Sequence, residues 1–174
     1  TGFAMLATSS VQEVMDLAGV AHLSAIKASV PFLHFFDGFR TSHEINSVEV
    51  MDYEVFDRLL DREAVAKFRK RALNPENPVS RGSAQNDDVY FQAREAQNKY
   101  YLAVPGIVEE YMNEISKVTG RHYAPFNYYG AEDATDIIIA MGSVNECIKE
   151  VVDYINKNEK RRVGAINVHL YRPF

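Results

Sequence analysis

Two short apolar runs separated by an amphipathic segment open the chain. Residues 3–7 have the length and composition of a buried strand. Residues 30–36 form a near-continuous apolar run, which is typical of a central parallel strand covered on both faces. Between these runs, apolar residues recur every three or four positions over 14–25, which predicts a helix with one face toward a core. Strand, helix and strand together predict a βαβ crossover.

Two capping boxes mark where helices are expected to begin. Residues 10–13 (Ser-Val-Gln-Glu) and 143–146 (Ser-Val-Asn-Glu) follow the pattern in which a serine oxygen accepts from the backbone amide three residues on, while the glutamate reaches back to the serine amide. Gly19 interrupts the first helical pattern at a cost of about 1 kcal/mol relative to alanine. A close crossing with another helix is the expected reason for it.

The middle of the chain is predicted to be helical around one long loop. Residues 74–88 are polar and contain two prolines and a glycine, which favours an exposed loop. Residues 89–101 and 105–118 then predict two separate helices, because Pro105 suits the first turn of a new helix. Gly120 suits the position just past the end of the second one.

The pattern changes again near residue 123. Residues 123–133 are rich in aromatic residues, glycine and proline without a period, which predicts an irregular link. The sequence then predicts a second βαβ unit, with a strand at 136–141, a capped helix and a strand at 163–170. We therefore expect an α/β protein with mostly parallel sheets flanked by helices, divided into residues 1–123 and 124–174.

Composition narrows the classes of partner. With 47% hydrophobic and 25% charged residues in 174, the chain is typical of a globular protein, and no apolar run approaches the length of a membrane span. The net charge of -5 argues against nucleic acid, and the basic run at 67–71 follows acidic residues, as a solvated helix face does. The single cysteine, Cys147, is expected to be a small buried hydrophobe in a reducing, cytoplasmic compartment.

Polar side chains follow the second apolar run. Asp37 and Gly38 end it, and Arg40, Thr41 and His43 come next. Ligands of open α/β sheets bind beyond the carboxyl ends of the strands, so these residues are candidates for a functional site. The alternative is a simple turn in which Arg40 pairs with a nearby carboxylate.

Other chemical motifs are weak. A glycine turn before a helix at 142–143 can receive a phosphate, but it equally fits a tight strand-to-helix turn. The sequence contains no dinucleotide fingerprint, phosphate-binding loop, serine hydrolase elbow or zinc-ligand spacing.

Five segments carry a resemblance to a known family, and in this order they extend over essentially the whole chain: TGFAMLATSSVQEVMDLAGVAHL, VPFLHFFDGFRTSHEI, YFQAREAQNKYY, PGIVEEYM and VHLYRPF. They resemble the pyruvate:ferredoxin (flavodoxin) oxidoreductases. The resemblance implies oxidative decarboxylation of pyruvate with CoA to acetyl-CoA and CO2, with electrons passed to ferredoxin or flavodoxin. It implies thiamine diphosphate, magnesium and [4Fe-4S] clusters in a longer parent enzyme.

The resemblance also implies what this piece does. Residues 1–123 are similar to the last part of the pyrimidine-binding, transketolase-like domain, and residues 124–174 to the start of a transketolase C-terminal-like domain. The family's residues for pyruvate, thiamine, magnesium and the clusters are expected outside the chain. No catalytic, cofactor-binding or metal residue is therefore assigned here, and the piece is expected to bind none of these cofactors itself. Arg40, Thr41 and His43 are expected to support the active-site end of the sheet.

The resemblance leaves several points open. Expected partners are the remaining domains of the same chain, a homodimer partner, CoA, and ferredoxin or flavodoxin. The same enzyme core fused to an NADP reductase is an alternative, and so is another 2-oxoacid as substrate. An alternative of a different class is a non-catalytic α/β interaction or regulatory module.

Overall fold

The chain forms two three-stranded sheets flanked by helices in the computed structural model, which describes residues 2–78, 84–159 and 161–174. The strands are β1 (Ala4–Ala7), β2 (Phe32–Phe35), β3 (Phe126–Gly130), β4 (Asp136–Ala140), β5 (Val163–Val168) and β6 (Leu170–Arg172). The helices are α1 (Val11–Ala28), α2 (Arg40–His43), α3 (Tyr53–Leu59), α4 (Arg62–Arg71), α5 (Asp87–Thr119) and α6 (Val144–Asn158). The predicted α/β class is confirmed.

The opening βαβ unit is confirmed. β1 and β2 are parallel in the register that pairs Ala4 with Phe32 and Ala7 with Phe35, and α1 connects them. The Ser10 side chain accepts from the Glu13 amide at 3.2 Å, as a capping box requires. The Glu13 carboxylate reaches one residue further back than predicted and accepts from the Ser9 amide at 2.6 Å.

β2 is an edge strand and not the central strand that its apolar sequence predicts. The sheet order is β2-β1-β6, and within the described ranges no strand pairs with the outer side of β2. Leu33 is 46% exposed, because α1 covers one face of the strand and leaves the other open. An apolar run indicates that a strand is suited to burial on both faces. It does not indicate whether the strands that would cover it belong to the same stretch of sequence.

Helices α1 and α5 supply most of the larger core beside the first sheet. Its fully buried side chains include Leu6, Leu17, Val20, Val104, Val108, Met112, Ile115 and Leu170. A Cβ at Gly19 would overlap the ring of Phe56. The expected close helix crossing is therefore confirmed, and it lies between α1 and α3.

α5 is one continuous helix, so the prediction of two helices is wrong. Pro105 lies inside it, although proline removes a backbone donor and its ring crowds the carbonyl of Tyr101. Buried side chains on both sides of the proline, from Val104 to Ile115, pack in the core and keep the helix axis continuous. Gly120 ends the helix with φ of 72°, as predicted.

The second sheet has the order β3-β5-β4. β4 and β5 are parallel and α6 connects them, which confirms the predicted second βαβ unit. Residues 126–130, predicted as part of an irregular link, instead form β3 antiparallel to β5. Four of the five β3 residues are exposed, so the alternation that identifies a strand is absent from its sequence.

The start of α6 differs from its prediction. Ser143 has helical backbone angles, and its hydroxyl donates to Asp37 instead of capping its own helix, so the second capping box does not form. Cys147 is exposed, and its prediction as a buried residue is wrong. The face of α6 toward the sheet carries Asn145 and Val152, which places Cys147 on the opposite side.

The chain returns from the second sheet to the first at its end. The strand predicted at 163–170 is divided into β5 and β6 by His169, and β6 pairs antiparallel with β1. The division into residues 1–123 and 124–174 stays a prediction. The loop expected at 74–88 includes 79–83, which lie outside the described residues, and α5 already begins at Asp87. None of the described helices combines the length and hydropathy needed to cross a membrane.

Candidate functional site

Polar residues at or just beyond the carboxyl ends of β1, β2, β4 and β5 meet where the two sheets adjoin. The contacts that join them span up to 158 positions of sequence. Ligands and domain contacts gather at this end of parallel strands, so it is the best candidate for a functional site. We call this set the polar junction, and its members are Ser9, Glu13, Asp37, Thr41, Ser143, Asn145, Asn167 and His169.

Asp37 holds the first half of the polar junction together. Its carboxylate accepts from the Ser143 amide at 2.7 Å and from the Ser143 hydroxyl at 2.6 Å. Thr41 lies at the outer limit of a third hydrogen bond, 3.5 Å. Desolvation opposes the charge of Asp37, but the hydrogen bonds from Ser143 outweigh it and lower the pKa of the carboxyl. Asp37 therefore caps α6 from a distant part of the chain.

This cap fills the position where the sequence could accommodate a phosphate. Gly142 has φ of 83°, and a Cβ there would lie 2.8 Å from a carboxylate oxygen of Asp37. The glycine is needed for both the backbone conformation and the close approach of the side chain. The turn at residues 142–143 therefore presents its free amide to a carboxylate of the same chain.

The second half of the polar junction is centred on His169 and Glu13. Nε2 of His169 lies 3.3 Å from Oε2 of Glu13 and 3.1 Å from Nδ2 of Asn167, and Nδ1 lies 3.0 Å from the carbonyl of Ala124. The Ser9 hydroxyl donates to Oδ1 of Asn167 at 3.2 Å. Burial opposes ionisation of Glu13, yet the hydrogen bond and charge of His169 and the Ser9 amide keep the pKa of this carboxyl below its ordinary value.

A fully buried carboxylate, Asp16, lies on α1, the helix that also carries Glu13 of the polar junction. Asp16 accepts from Nε of Arg121 at 2.7 Å and from the Tyr123 hydroxyl at 2.6 Å. Burial and the hydrogen bond to Asp16 raise the pKa of Tyr123. Sequence reasoning missed this cluster. The available signal was a carboxylate at helical spacing within the apolar face of α1, which requires a partner when it is buried.

The structure separates the three predicted site residues. Thr41 is buried beside Asp37 and belongs to the polar junction. Arg40 is exposed, and among the described residues its guanidinium forms no ion pair, so the expected pairing with a neighbour such as Glu44 is not present there. His43 is exposed and stacks on the ring of Phe39 with 5.5 Å between centroids.

His43 also contacts a hydroxyl. Its Nδ1 lies 2.7 Å from Oγ of Ser42. A histidine that activates a serine is normally oriented by a third group, and within the described part of the chain no carboxylate contacts this ring. The described residues also contain no cluster of three potential metal ligands. The geometry of the polar junction is that of a joint made of satisfied hydrogen bonds.

The chain is similar along its whole length to curated pyruvate oxidoreductases. A family model described as pyruvate flavodoxin/ferredoxin oxidoreductase, thiamine diphosphate-binding, matches residues 1–113. Identity is 64% over 174 residues to a pyruvate-flavodoxin oxidoreductase of Enterobacter agglomerans and 59% over 175 residues to a pyruvate:ferredoxin oxidoreductase of Moorella thermoacetica. Each alignment covers 100% of this chain and 15% of the relative.

A relative with a different name is similar over the same extent. The pyruvate dehydrogenase (NADP+) of Cryptosporidium parvum is 48% identical over 174 residues, which is 100% of this chain and 9% of that protein. The chain thus spans well under a fifth of the length of the relatives it matches.

Proposed function

The chain belongs to the pyruvate flavodoxin/ferredoxin oxidoreductase family, and from this premise we propose that it is one part of an enzyme that oxidatively decarboxylates pyruvate. The proposed reaction consumes pyruvate and CoA, yields acetyl-CoA and CO2, and passes electrons to ferredoxin or flavodoxin. The observation that carries this proposal is 59–64% identity over the entire chain to relatives with these names.

Within that enzyme, the chain acts as scaffold and interface. Its candidate site is a network in which carboxylates, amides and hydroxyls satisfy one another across the two sheets. Such a network fixes relative positions, and it leaves no carboxylate of the polar junction available as a base. Residues 1–123 are the proposed end of the pyrimidine-binding domain, and residues 124–174 the proposed start of the next, transketolase C-terminal-like domain.

Thiamine diphosphate is the proposed cofactor of the parent enzyme, with magnesium and [4Fe-4S] clusters. Among the described residues, the helix terminus at Ser143 is capped by Asp37, and the Glu13 carboxylate accepts from the Ser9 amide, so we propose that neither group contacts the diphosphate or its metal. No cluster of three potential metal ligands occurs among them. The matching family model is described as thiamine diphosphate-binding, and we propose that the residues that bind the cofactor lie in other parts of the enzyme, as the resemblance implies.

Arg40, Thr41 and His43 are proposed to support the active-site end of the first sheet. Thr41 is buried with its hydroxyl 3.5 Å from the Asp37 carboxylate, so the short helix α2 lies against the turn that follows β2. In this position, the guanidinium of Arg40 and the ring of His43 are exposed. Both side chains are available to a neighbouring part of the enzyme, and a planar guanidinium suits a carboxylate there.

The electron acceptor has one specific alternative. The Cryptosporidium parvum relative is named for NADP+, and this chain is 48% identical to it over 174 residues. The same core fused to an NADP reductase therefore stays a second candidate. The further partners that we propose are the remaining domains of the chain and a second copy of the enzyme, in the cytoplasm. A non-catalytic interaction or regulatory module is the alternative of a different class.

The test is an assay of the full-length protein that contains this chain. Purified protein with thiamine diphosphate and magnesium should reduce ferredoxin or flavodoxin when pyruvate and CoA are both added. Omitting CoA or pyruvate is the matched control. Reduction of NADP+ in place of ferredoxin and flavodoxin would support the alternative acceptor. A full-length protein that is folded, binds thiamine diphosphate and yet oxidises no 2-oxoacid would contradict the proposal and favour the non-catalytic module.

A further inference from the structure

His169 lies where the chain passes from the second sheet to the first. Its carbonyl accepts from the Ala7 amide at 2.7 Å, and its own amide donates to the carbonyl of Pro125 at 3.0 Å. Its side chain is 2% exposed and lies between Glu13 and Asn167. A titratable ring therefore occupies the crossover that links β5 to β6.

The contacts of the ring define where its protons can be. A carbonyl oxygen can only accept, so Nδ1, at 3.0 Å from the carbonyl of Ala124, carries a proton. In the neutral ring, Nε2 is then an acceptor and receives the amide N–H of Asn167. The carboxylate of Glu13, 3.3 Å away, gains no hydrogen bond from an unprotonated Nε2.

We propose that the polar junction takes up one proton from solvent at Nε2 of His169 and thereby switches between two hydrogen-bond patterns. In the protonated pattern, Nε2–H donates to the Glu13 carboxylate. The amide of Asn167 must then turn over, because its N–H2 group would otherwise face another donor. Its oxygen now faces Nε2, and its N–H2 group faces the Ser9 hydroxyl.

The turned amide changes the bonding of Ser9. In the neutral pattern, the Ser9 hydroxyl donates to Asn167 and accepts from Nδ2 of Asn145 at 3.4 Å. In the protonated pattern, the hydroxyl accepts from both amides and loses its own acceptor. A hydrogen bond from imidazolium to carboxylate is about twice as strong as a neutral one, so the protonated pattern holds α1 to the crossover more firmly.

The surroundings allow this exchange. A cavity of about 190 Å³ is lined by Glu13, Asn167 and His169, which places open volume beside the ring. The Ser9 amide donates to the Glu13 carboxylate at 2.6 Å, and this hydrogen bond favours the ionised carboxylate in both patterns. The other titratable or charged groups facing this region are His122 and Tyr123 in the segment before β3, Tyr128 and Tyr129 on β3, and Lys149 on α6, which is paired with Glu146.

Hydrogen exchange on the full-length protein tests the switch without reference to enzyme activity. Peptides that cover residues 5–14 and 165–172 report on the amides of Ser9, His169 and Leu170. After correction for the chemical exchange rate, we expect about tenfold greater protection near pH 5.5 than near pH 8, as the exchange of a neutral hydrogen bond for a charge-assisted one implies. Protection equal at both pH values would overturn the proposal.

Variants identify the proton site. Glu13→Gln and His169→Gln should each abolish the pH step, and Asn167→Asp should extend the protected state to higher pH, since its carboxylate accepts from Nε2–H and from Ser9 together. Glu146→Gln is the matched control on α6 and should retain the step. A step that survives in both Glu13→Gln and His169→Gln would overturn the proposal, and these two variants decide the matter if Asn167→Asp does not fold.

Discussion

Asp37 offers the sharpest perturbation of the polar junction, because one carboxylate joins the turn after β2 to the start of α6. Asp37→Ala removes two hydrogen bonds to a charged acceptor, at 2.6 and 2.7 Å. Bonds of this kind contribute about 1.5–3 kcal/mol each, and loss of a helix cap alone costs about 0.5–2 kcal/mol. The two bonds together would contribute about 3–6 kcal/mol. Because Asp37 is partly exposed, solvent screening reduces this value, and we expect roughly 2–4 kcal/mol.

Asp37→Asn should be milder. The amide preserves the shape and both contacts, with its oxygen toward the Ser143 amide and its N–H2 group toward the Ser143 hydroxyl, but it loses the charge that favours a helix N-terminus. We expect a loss of about 1 kcal/mol. Asp61→Ala is the matched control, because Asp61 caps α4 by accepting from the Ala64 amide at 2.8 Å and, within the described ranges, forms no hydrogen bond or ion pair with a distant element.

Hydrogen exchange of the full-length protein measures both effects. Asp37→Ala should raise exchange in peptides covering 36–44 and 141–147 by roughly 30- to 1,000-fold, which corresponds to 2–4 kcal/mol at tenfold per 1.4 kcal/mol. Asp61→Ala should raise exchange at the start of α4 alone. If Asp37→Ala loosens residues 36–44 while the start of α6 remains fully protected, the carboxylate does not couple the two elements and the reasoning fails.

The remaining predictions concern packing, buried polar contacts and pH. Gly19→Ala should destabilise the protein by about 1–3 kcal/mol because the added methyl overlaps Phe56. Gly106→Ala, in open space on α5, should stabilise it by about 0.5–1 kcal/mol. Denaturant unfolding compares the two variants, and a stabilising Gly19→Ala would refute the close helix crossing. Tyr123→Phe should cost about 1–2 kcal/mol in the same measurement by removing a donor from buried Asp16, and an unchanged midpoint would contradict it. The pKa of Asp37 is lowered in the folded state, so its contribution to stability is full above the ordinary carboxyl pKa of about 4 and is lost as the pH falls below it. Hydrogen exchange at 141–147 should therefore rise in acid in the native protein and not in Asp37→Asn.

Local signals in the sequence were sufficient for the βαβ units, the first capping box and the helix end at Gly120. Each of these depends on residues close together in the chain, so periodicity and cap chemistry identify them. The continuity of α5 through Pro105 was not predictable in this way, because side chains buried on both sides of the proline outweigh its local preference. β3 was missed because its exposed aromatic residues do not alternate with polar ones.

In the candidate site, too, local features could be predicted from the sequence and long-range contacts could not. The segment after β2 was identified from the rule that ligands gather at carboxyl ends of strands, and Thr41 does lie in the polar junction. The partners of that segment were not identifiable, since Ser143 is 106 positions from Asp37, and His169 is 156 positions from Glu13. Such pairs follow from the tertiary fold, and no spacing rule in a single sequence specifies them.

We propose that this chain supports an active site without performing bond chemistry, and the kinetics of two variants test that proposal most directly. Pyruvate oxidation should be measured against pH in the full-length enzyme carrying Arg40→Lys or His43→Ala, with Arg58→Lys on the exposed side of α3 as control. Loss of supporting geometry predicts turnover about 10- to 100-fold lower, with the same pH profile as the native enzyme. A loss approaching 10,000-fold with one ionisation missing from the profile would mark a general acid or base and contradict the account. Unchanged kinetics in both variants would contradict it equally, by reducing the segment to a turn.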